Sequence, residues 1–261
     1  MAKSTYHYYC QKTKIADKHQ EEKKLIYKIF KDNRARYGYR RITLEMRKQG
    51  YLINHKAVLK LMNQCGLKCM VRKKKYYSYR GTIGKIAPNV LERDFSTTAL
   101  NQKWATDISE FNLFGQKKYI APIMDLYNQE IISFTISDSP ILAMVTQMLN
   151  EAFEVLPKKV DLIVHSDQGW HYQHLTYQNM LKEKGITQSM SRKGNCLDNA
   201  VIENFFGILK SELLNLQEFE SMEHFILELK EYIDYYNNNR IKLKLKGMSP
   251  VQFRTQSSSK T

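Results

Sequence analysis

The chain has 261 residues, 43% of them hydrophobic, with 41 Lys and Arg against 26 Asp and Glu. That length holds one large domain or two ordinary ones, and the apolar share excludes a disordered chain. No apolar run reaches the roughly 18–20 residues that span a membrane, the N-terminus lacks a signal-peptide core, and four cysteines make no disulfide framework, so a cytoplasmic protein with reduced thiols is expected.

The positive charge is concentrated at the front. Residues 1–90 hold 23 Lys and Arg against 5 Asp and Glu, whereas residues 91–261 hold 18 against 21. A basic half of this kind attracts nucleic acid by counterion release; the plain alternative is a solvated face that aids solubility. Within it, Leu25, Ile26, Ile29 and Phe30 recur at helical spacing over residues 17–33. Tyr37-Gly38-Tyr39 interrupts the pattern, and Arg40 to Lys48 then reads as a short helix closed by Gly50. Asn54 is placed to cap a third helix, Lys56 to Cys65, with Val58, Leu59, Leu61 and Met62 inward and Gly66 as its stop. Short helices and tight turns fit a helix-turn-helix-like module, with Arg40 and Arg41 as candidate DNA contacts. The alternative is a three-helix packing unit that touches no DNA.

From Lys68 to Arg80 basic and aromatic residues alternate without periodicity. Arg72, Lys73, Lys74 and Lys75 are candidate phosphate ligands, and the tyrosines beside them can stack on bases. Gly81, Gly84, Pro88 and Asn89 mark a linker over residues 81–95.

Beyond the linker the periods shorten. Lys103 to Asn112, Lys118 to Leu126 and Glu130 to Ser137 read as three strands of an antiparallel meander. Ile141 to Leu156 is an amphipathic helix, and Asp161 to His165 is a short apolar strand of the buried parallel kind. A helix over Gln173–Lys184, a strand over Thr187–Met190 and a glycine loop at Arg192-Lys193-Gly194-Asn195 follow. Asn199 to Leu216 and Met222 to Asn237 read as long helices, the first burying Ile202, Phe205, Phe206, Leu209 and Leu213. This order predicts an α/β domain, a mixed sheet with helices on both faces.

Three acids fall at telling places. Asp107 lies in the first strand, Asp167 lies just past the fourth, and Glu203 lies one turn into a helix. Carboxylates brought together from three elements repel one another unless cations lie between them, and Mg²⁺ suits such oxygen ligands. A lone Asp at a strand end is more commonly a turn or cap residue, and Asp198 reads as an N-cap for the helix that follows. Zinc readings of His165, His171 and His174, or of Cys65 and Cys69 with His7 and Cys10, lack a Cys-x-x-Cys partner.

A series of motifs runs through nearly the whole chain. It includes Tyr37-Gly38-Tyr39-Arg40-Arg41-Ile42, Trp104-Ala105-Thr106-Asp107-Ile108, His165-Ser166-Asp167-Gln168-Gly169 and Ser189 to Asn195. Asp198-Asn199-Ala200 through Glu203, Leu209-Lys210, Tyr236 to Arg240 and Ser249-Pro250 complete it, with 35 residues between Asp167 and Glu203. In this order the motifs resemble the DDE transposases of bacterial insertion sequences, specifically the second, catalytic reading frame of the retroviral-integrase-like class.

The resemblance implies a ribonuclease-H-like mixed sheet with flanking helices, preceded by a small all-α helix-turn-helix-like domain. The expected boundaries are a basic DNA-binding domain at 1–80, a linker at 81–95, the catalytic core at 96–240 and a C-terminal tail at 241–261. It implies Asp107, Asp167 and Glu203 as catalytic residues holding Mg²⁺ or Mn²⁺, two ions in number, and metal-dependent cleavage and strand transfer at the element's ends. A basic residue is expected seven positions after the glutamate, where Lys210 stands on the same helical face. Arg192 and Lys193 join the candidate DNA contacts. The implied partners are double-stranded DNA, further copies of the chain on DNA, and the product of an upstream reading frame; the implied location is the bacterial nucleoid, with no membrane. The rivals are a nuclease that cuts without joining and a DNA-binding regulator without catalysis.

Overall fold

A computed structural model describes residue 17 and residues 19–70, 86–157, 160–192 and 196–258, which fall into two compact units, Met1–Met70 and Val71–Thr261. Arg72, Lys73, Lys74, Lys75 and Lys193 lie outside the described residues, as do His7 and Cys10.

The first unit is three helices, α1 (Gln20–Asp32), α2 (Tyr39–Lys48) and α3 (His55–Gln64). Ile26 and Ile29 of α1, Ile42 and Met46 of α2, and Val58, Leu61 and Met62 of α3 form its core with Tyr37. The Asn54 side chain accepts a hydrogen bond from the Lys56 N–H at 2.9 Å and starts α3 as expected. Gly66 follows α3 at φ +68°, a left-handed conformation that glycine adopts without penalty. One inward assignment is corrected. Leu59 is 40% exposed, because the core side of α3 is filled by Val58, Leu61 and Met62.

The second unit is built on a six-stranded mixed sheet. Its strands are β1 (Lys103–Thr106), β2 (Ser109–Leu113), β3 (Gln116–Asp125), β4 (Ile131–Ser137), β5 (Ile163–Ser166) and β6 (Thr187–Met190). β4 pairs with one side of β3; β1 and β2 lie end to end along the other. β5 runs parallel to β1, and β6 runs parallel to β5. The single strand expected from Lys103 to Asn112 is therefore two. The ladder breaks at Asp107, whose carboxylate takes the Ile108 N–H at 2.8 Å, a local bond that competes with strand pairing.

Helices cover both faces. On one face, α4 (Leu142–Glu154) and α6 (Leu175–Glu183) pack Val145, Met148, Leu149, Tyr177 and Leu181 against Trp104, Ile123 and Val164. On the other, α7 (Ala200–Leu209) and α8 (Met222–Asn238) pack Ile202, Phe205, Phe206, Phe225 and Leu229 against Ala105, Phe111 and Met124. A one-turn helix, α5 (Trp170–Gln173), precedes α6 and takes up part of the helix expected from Gln173.

The long helix expected to Leu216 gives way to a π-helical turn, Lys210–Leu214. The wider turn carries Glu212 inward, where it accepts bonds from Arg240 Nε at 2.8 Å, from the second Arg240 nitrogen at 2.7 Å and from Tyr232 Oη at 2.9 Å. That buried, bidentate pair explains the arginine of the Tyr236–Arg240 motif. Asn237 of the same motif pairs its amide with both the N–H and the carbonyl of Ile131, each at 2.9 Å, and closes the start of β4. The segment after residue 240, expected as a tail, carries α9 (Pro250–Ser258). It packs back on the β3–β4 turn through Phe253 against Tyr127 and Arg254 against Glu130. Among the described residues, no helix is long and apolar enough to cross a membrane.

Candidate active site

The first two acids follow paired strands. β1 and β5 pair Ala105 with His165. Asp107 follows the last residue of β1 and Asp167 follows the last residue of β5, so the two acids leave the same end of a parallel strand pair. Alternation keeps Asp107 on the face of Ala105, the face that α7 covers. Glu203 stands in the first turn of α7, where the helix N-terminus favours a negative charge.

The electrostatics tie the three together. Protein atoms surround Asp107 densely although its side chain keeps some contact with solvent. Burial first and the charge of Asp167 second raise its pKa well above the ordinary value, with the Ile108 N–H opposing them, Glu203 adding a lesser push and Lys210 a lesser pull. Asp167 is raised by burial, opposed by the Gly169 N–H, which it accepts at 2.8 Å. Glu203 is raised by burial and by the charge of Asp167. Among the described residues, no three His, Cys, Asp or Glu side chains are gathered tightly enough to hold one ion in common. The acids are linked in pairs: Asp107 with Asp167, Asp107 with Glu203, and Glu203 with Asp167.

The donor set suits a hard divalent cation. All three groups are carboxylates, and Asp107 and Asp167 each commit one oxygen to a backbone N–H, leaving the other for a ligand. Lys210 faces this site, with its ammonium 5.5 Å from the centre of the Phe111 ring and its charge felt by Asp107.

Two further residues shape the pocket beside Asp167. A Cβ at Gly169 would stand 2.9 Å from Asp167 Oδ1, 3.3 Å from Tyr172 and 3.5 Å from His171 Nδ1, so only glycine fits without displacing the carboxylate. His171 donates from Nε2 to the Pro140 carbonyl, leaving Nδ1 buried with no hydrogen-bond partner. The position of Gly169 in the motif was visible in the sequence; the packing of His171 was not.

The remaining candidates are placed differently. The N-cap reading of Asp198 is corrected: the N-cap position of α7 is Asn199, and no side chain caps the helix. Asp198 is instead buried under donors from Arg192, Arg93 and Asn89. Arg192 is thereby engaged with Asp198 through its backbone N–H and its guanidinium, with its side chain still 59% exposed. The histidines form no zinc cluster: His165 pairs with Ser189, His171 with Pro140, and His174 caps α6. Burial lowers the His165 pKa to about 4, so it is neutral. In the first unit, Arg40 lies over Tyr39 and Arg41 over Tyr37. Sequence reasoning passed over the outer stripe of α3. There Lys56, Leu59, Lys60, Asn63 and Gln64 line a shallow hollow of about 450 Å³.

The comparisons with known proteins agree with this architecture. The Integrase core domain family matches residues 97–196, a second Integrase core domain family matches 203–257, and an HTH-like domain family matches 17–75. The chain is 50% identical over 254 residues to the putative transposase InsK for insertion sequence element IS150 of Escherichia coli (strain K12), covering 97% of this chain and 90% of that one. It is 33% identical over 259 residues to the transposase InsF for insertion sequence IS3A of the same organism, again covering 97% and 90%. In fold it resembles the simian T-cell lymphotropic virus intasome in complex with PP2A regulatory subunit B56 gamma, with a TM-score of 0.51 at 16% identity, over 88% of this chain and 74% of that one. The chain belongs to the insertion-sequence transposases with an integrase core domain, which are DDE polynucleotidyl transferases.

Proposed function

We propose that the chain cuts and rejoins DNA strands at the ends of an insertion sequence, with Asp107, Asp167 and Glu203 holding two divalent cations, Mg²⁺ or Mn²⁺. The observation that supports this reading is the mutual charge effect among the three acids, two of which follow the ends of strands paired in parallel. Asp107, Asp167 and Glu203, each feeling or exerting charge on the other two, are the carboxylates that would hold the ions. Such ions, when bound, supply Lewis acidity to the attacking and leaving oxygens of an in-line phosphoryl transfer.

The chain's own residues do the positioning. Gly169 holds the Asp167 carboxylate by its N–H and leaves room for it. Lys210 stands where a phosphate of the DNA end would need a cation. In the first step water breaks a P–O bond and frees a 3′-hydroxyl; in the second that hydroxyl attacks another phosphodiester, forming one P–O bond and breaking one. No energy-supplying cofactor is required, because strand transfer exchanges like bonds.

DNA is engaged by the first unit. Lys56 and Lys60 are suited to phosphates, and Asn63 and Gln64 are of the types that read adenine edges. Arg40 and Arg41 are further candidate DNA contacts of this unit, and Arg72, Lys73, Lys74, Lys75 and Lys193 add positive charge in the sequence. The functional division is a DNA-binding domain at 1–80, a linker at 81–95, a catalytic core at 96–240 and a C-terminal segment at 241–261. Two element ends must meet for joining, so several copies of the chain assemble on DNA. The upstream reading-frame product contributes to end recognition.

The test uses labelled element ends with Mg²⁺ or Mn²⁺. Nicking and joining are expected to vanish in Asp107→Ala, Asp167→Ala and Glu203→Ala while DNA binding persists. Full joining by the Glu203→Ala protein would overturn the assignment.

A further inference from the structure

The acidic residue that reads as a helix cap is built into a different device. Asp198 has no exposed side-chain surface and accepts five hydrogen bonds from three residues. Arg192 supplies its backbone N–H at 3.0 Å, its Nε at 3.0 Å and a terminal nitrogen at 3.1 Å. Arg93 adds Nε at 2.7 Å, and Asn89 adds its amide at 3.0 Å. These charge-assisted bonds hold the Asp198 carboxyl well below the usual range, chiefly through Arg192.

The donors Asn89 and Arg93 belong to a strap that crosses the end of β6. Ser189 Oγ accepts the N–H groups of Val90 and Leu91 at 3.0 and 3.1 Å, and the Met190 N–H reaches the Pro88 carbonyl at 3.2 Å. Asp198 therefore ties three segments together: the strap before the catalytic unit, the exit of β6, and the turn Cys196–Asn199 that leads into α7. Glu203 comes five residues later. Helix α7 has no side-chain cap of its own to set where it begins. A slip of one residue at that start would turn Glu203 by about 100° about the helix axis.

We propose that Asp198 is a positioning residue for Glu203: clamped by Arg192, Arg93 and Asn89, it sets the start of α7 and thereby the direction of the Glu203 carboxylate. This rests on the reading of Asp107, Asp167 and Glu203 as cation ligands. Asp198 touches neither DNA nor reacting atoms; it acts through the helix that follows it.

The test is Mn²⁺ binding to the full chain without DNA, followed by the EPR signal of the free ion. Wild-type protein is expected to bind two ions and Glu203→Ala one. Asp198→Ala is expected to weaken the Glu203-dependent ion by about 10–100-fold, the range seen when a ligand's supporting partner is removed, and to leave the other ion unchanged. Asp198→Asn keeps one acceptor oxygen for Arg192 and is expected to weaken that ion less than Asp198→Ala does. Should Asp198→Ala fail to fold, Arg93→Ala gives the same selective loss in smaller degree, since its half-exposed guanidinium is only one of the donors. Wild-type affinity for both ions in the folded variants overturns the proposal. So does equal weakening of both ions, which leaves Asp198 a purely structural role. Identical binding by Glu203→Ala and wild type overturns the ligand assignment itself, whatever the Asp198 variants do.

Discussion

Replacing Gly169 by alanine probes the site with a single methyl group. The backbone there, φ −56° and ψ 141°, suits any residue, so the substitution carries no conformational strain. Removing a glycine from the unfolded chain even stabilises by about 0.4–1 kcal/mol at a compatible position. The cost is steric and local. The new Cβ would stand 2.9 Å from Asp167 Oδ1, the same oxygen that accepts the residue 169 N–H at 2.8 Å. Reaching ordinary contact requires a shift of roughly 0.5 Å. Tyr172 at 3.3 Å closes another direction. Misplacement by 1 Å costs about 100-fold in rate, so half that distance predicts a loss of about 10-fold in nicking. The assay compares single-turnover nicking of a labelled element end at saturating Mg²⁺ with DNA affinity and thermal stability. Affinity and melting temperature are expected to stay near wild type. Undiminished nicking by Gly169→Ala would refute the claim that Asp167 is held in place by this contact.

Two further outcomes test the electrostatics. The Asp107 pKa is raised in the folded state, so the native protein binds that proton more tightly than the unfolded chain does. The resulting destabilisation is absent below about pH 4 and grows as the pH climbs towards the raised value. Asp107→Asn should therefore melt higher than wild type at pH 7 in metal-free buffer, with the gain fading near pH 4; a gain that persists in acid would show that charge is not the cause. On the first unit, Lys56→Ala and Lys60→Ala should each lower the salt dependence of DNA binding by about one unit of slope, and an unchanged slope would place the phosphate contacts elsewhere.

The acids Asp107, Asp167 and Glu203 could be singled out as candidates in the sequence because the motifs around them are local. Each sits among short runs whose residue types and spacing are visible without a fold. The helices of the first unit were equally legible, since Asn54 and Gly66 mark the ends of α3 in the chain itself. The break of the first strand at Asp107 was not. It depends on β1 being paired on both sides while β2 is paired with β3, which no strand propensity records. Leu59 was assigned inward on spacing alone, and it faces out because its neighbours already fill the core.

What the sequence by itself determined is therefore the inventory: a basic helical unit, a mixed α/β unit, three acids and a lysine seven residues after the last. What only the tertiary structure decided is which of these groups meet. Asp198 looks like a helix cap because an acid before a helix usually is one; beside the nearby Arg192, its partners Asn89 and Arg93 lie over a hundred residues earlier. Asp107 and Asp167 feel one another's charge because two strands 60 residues apart run parallel and each acid follows the end of one of them. Local physics sets propensities and caps, but the meeting of distant charges is set by sheet register and helix packing.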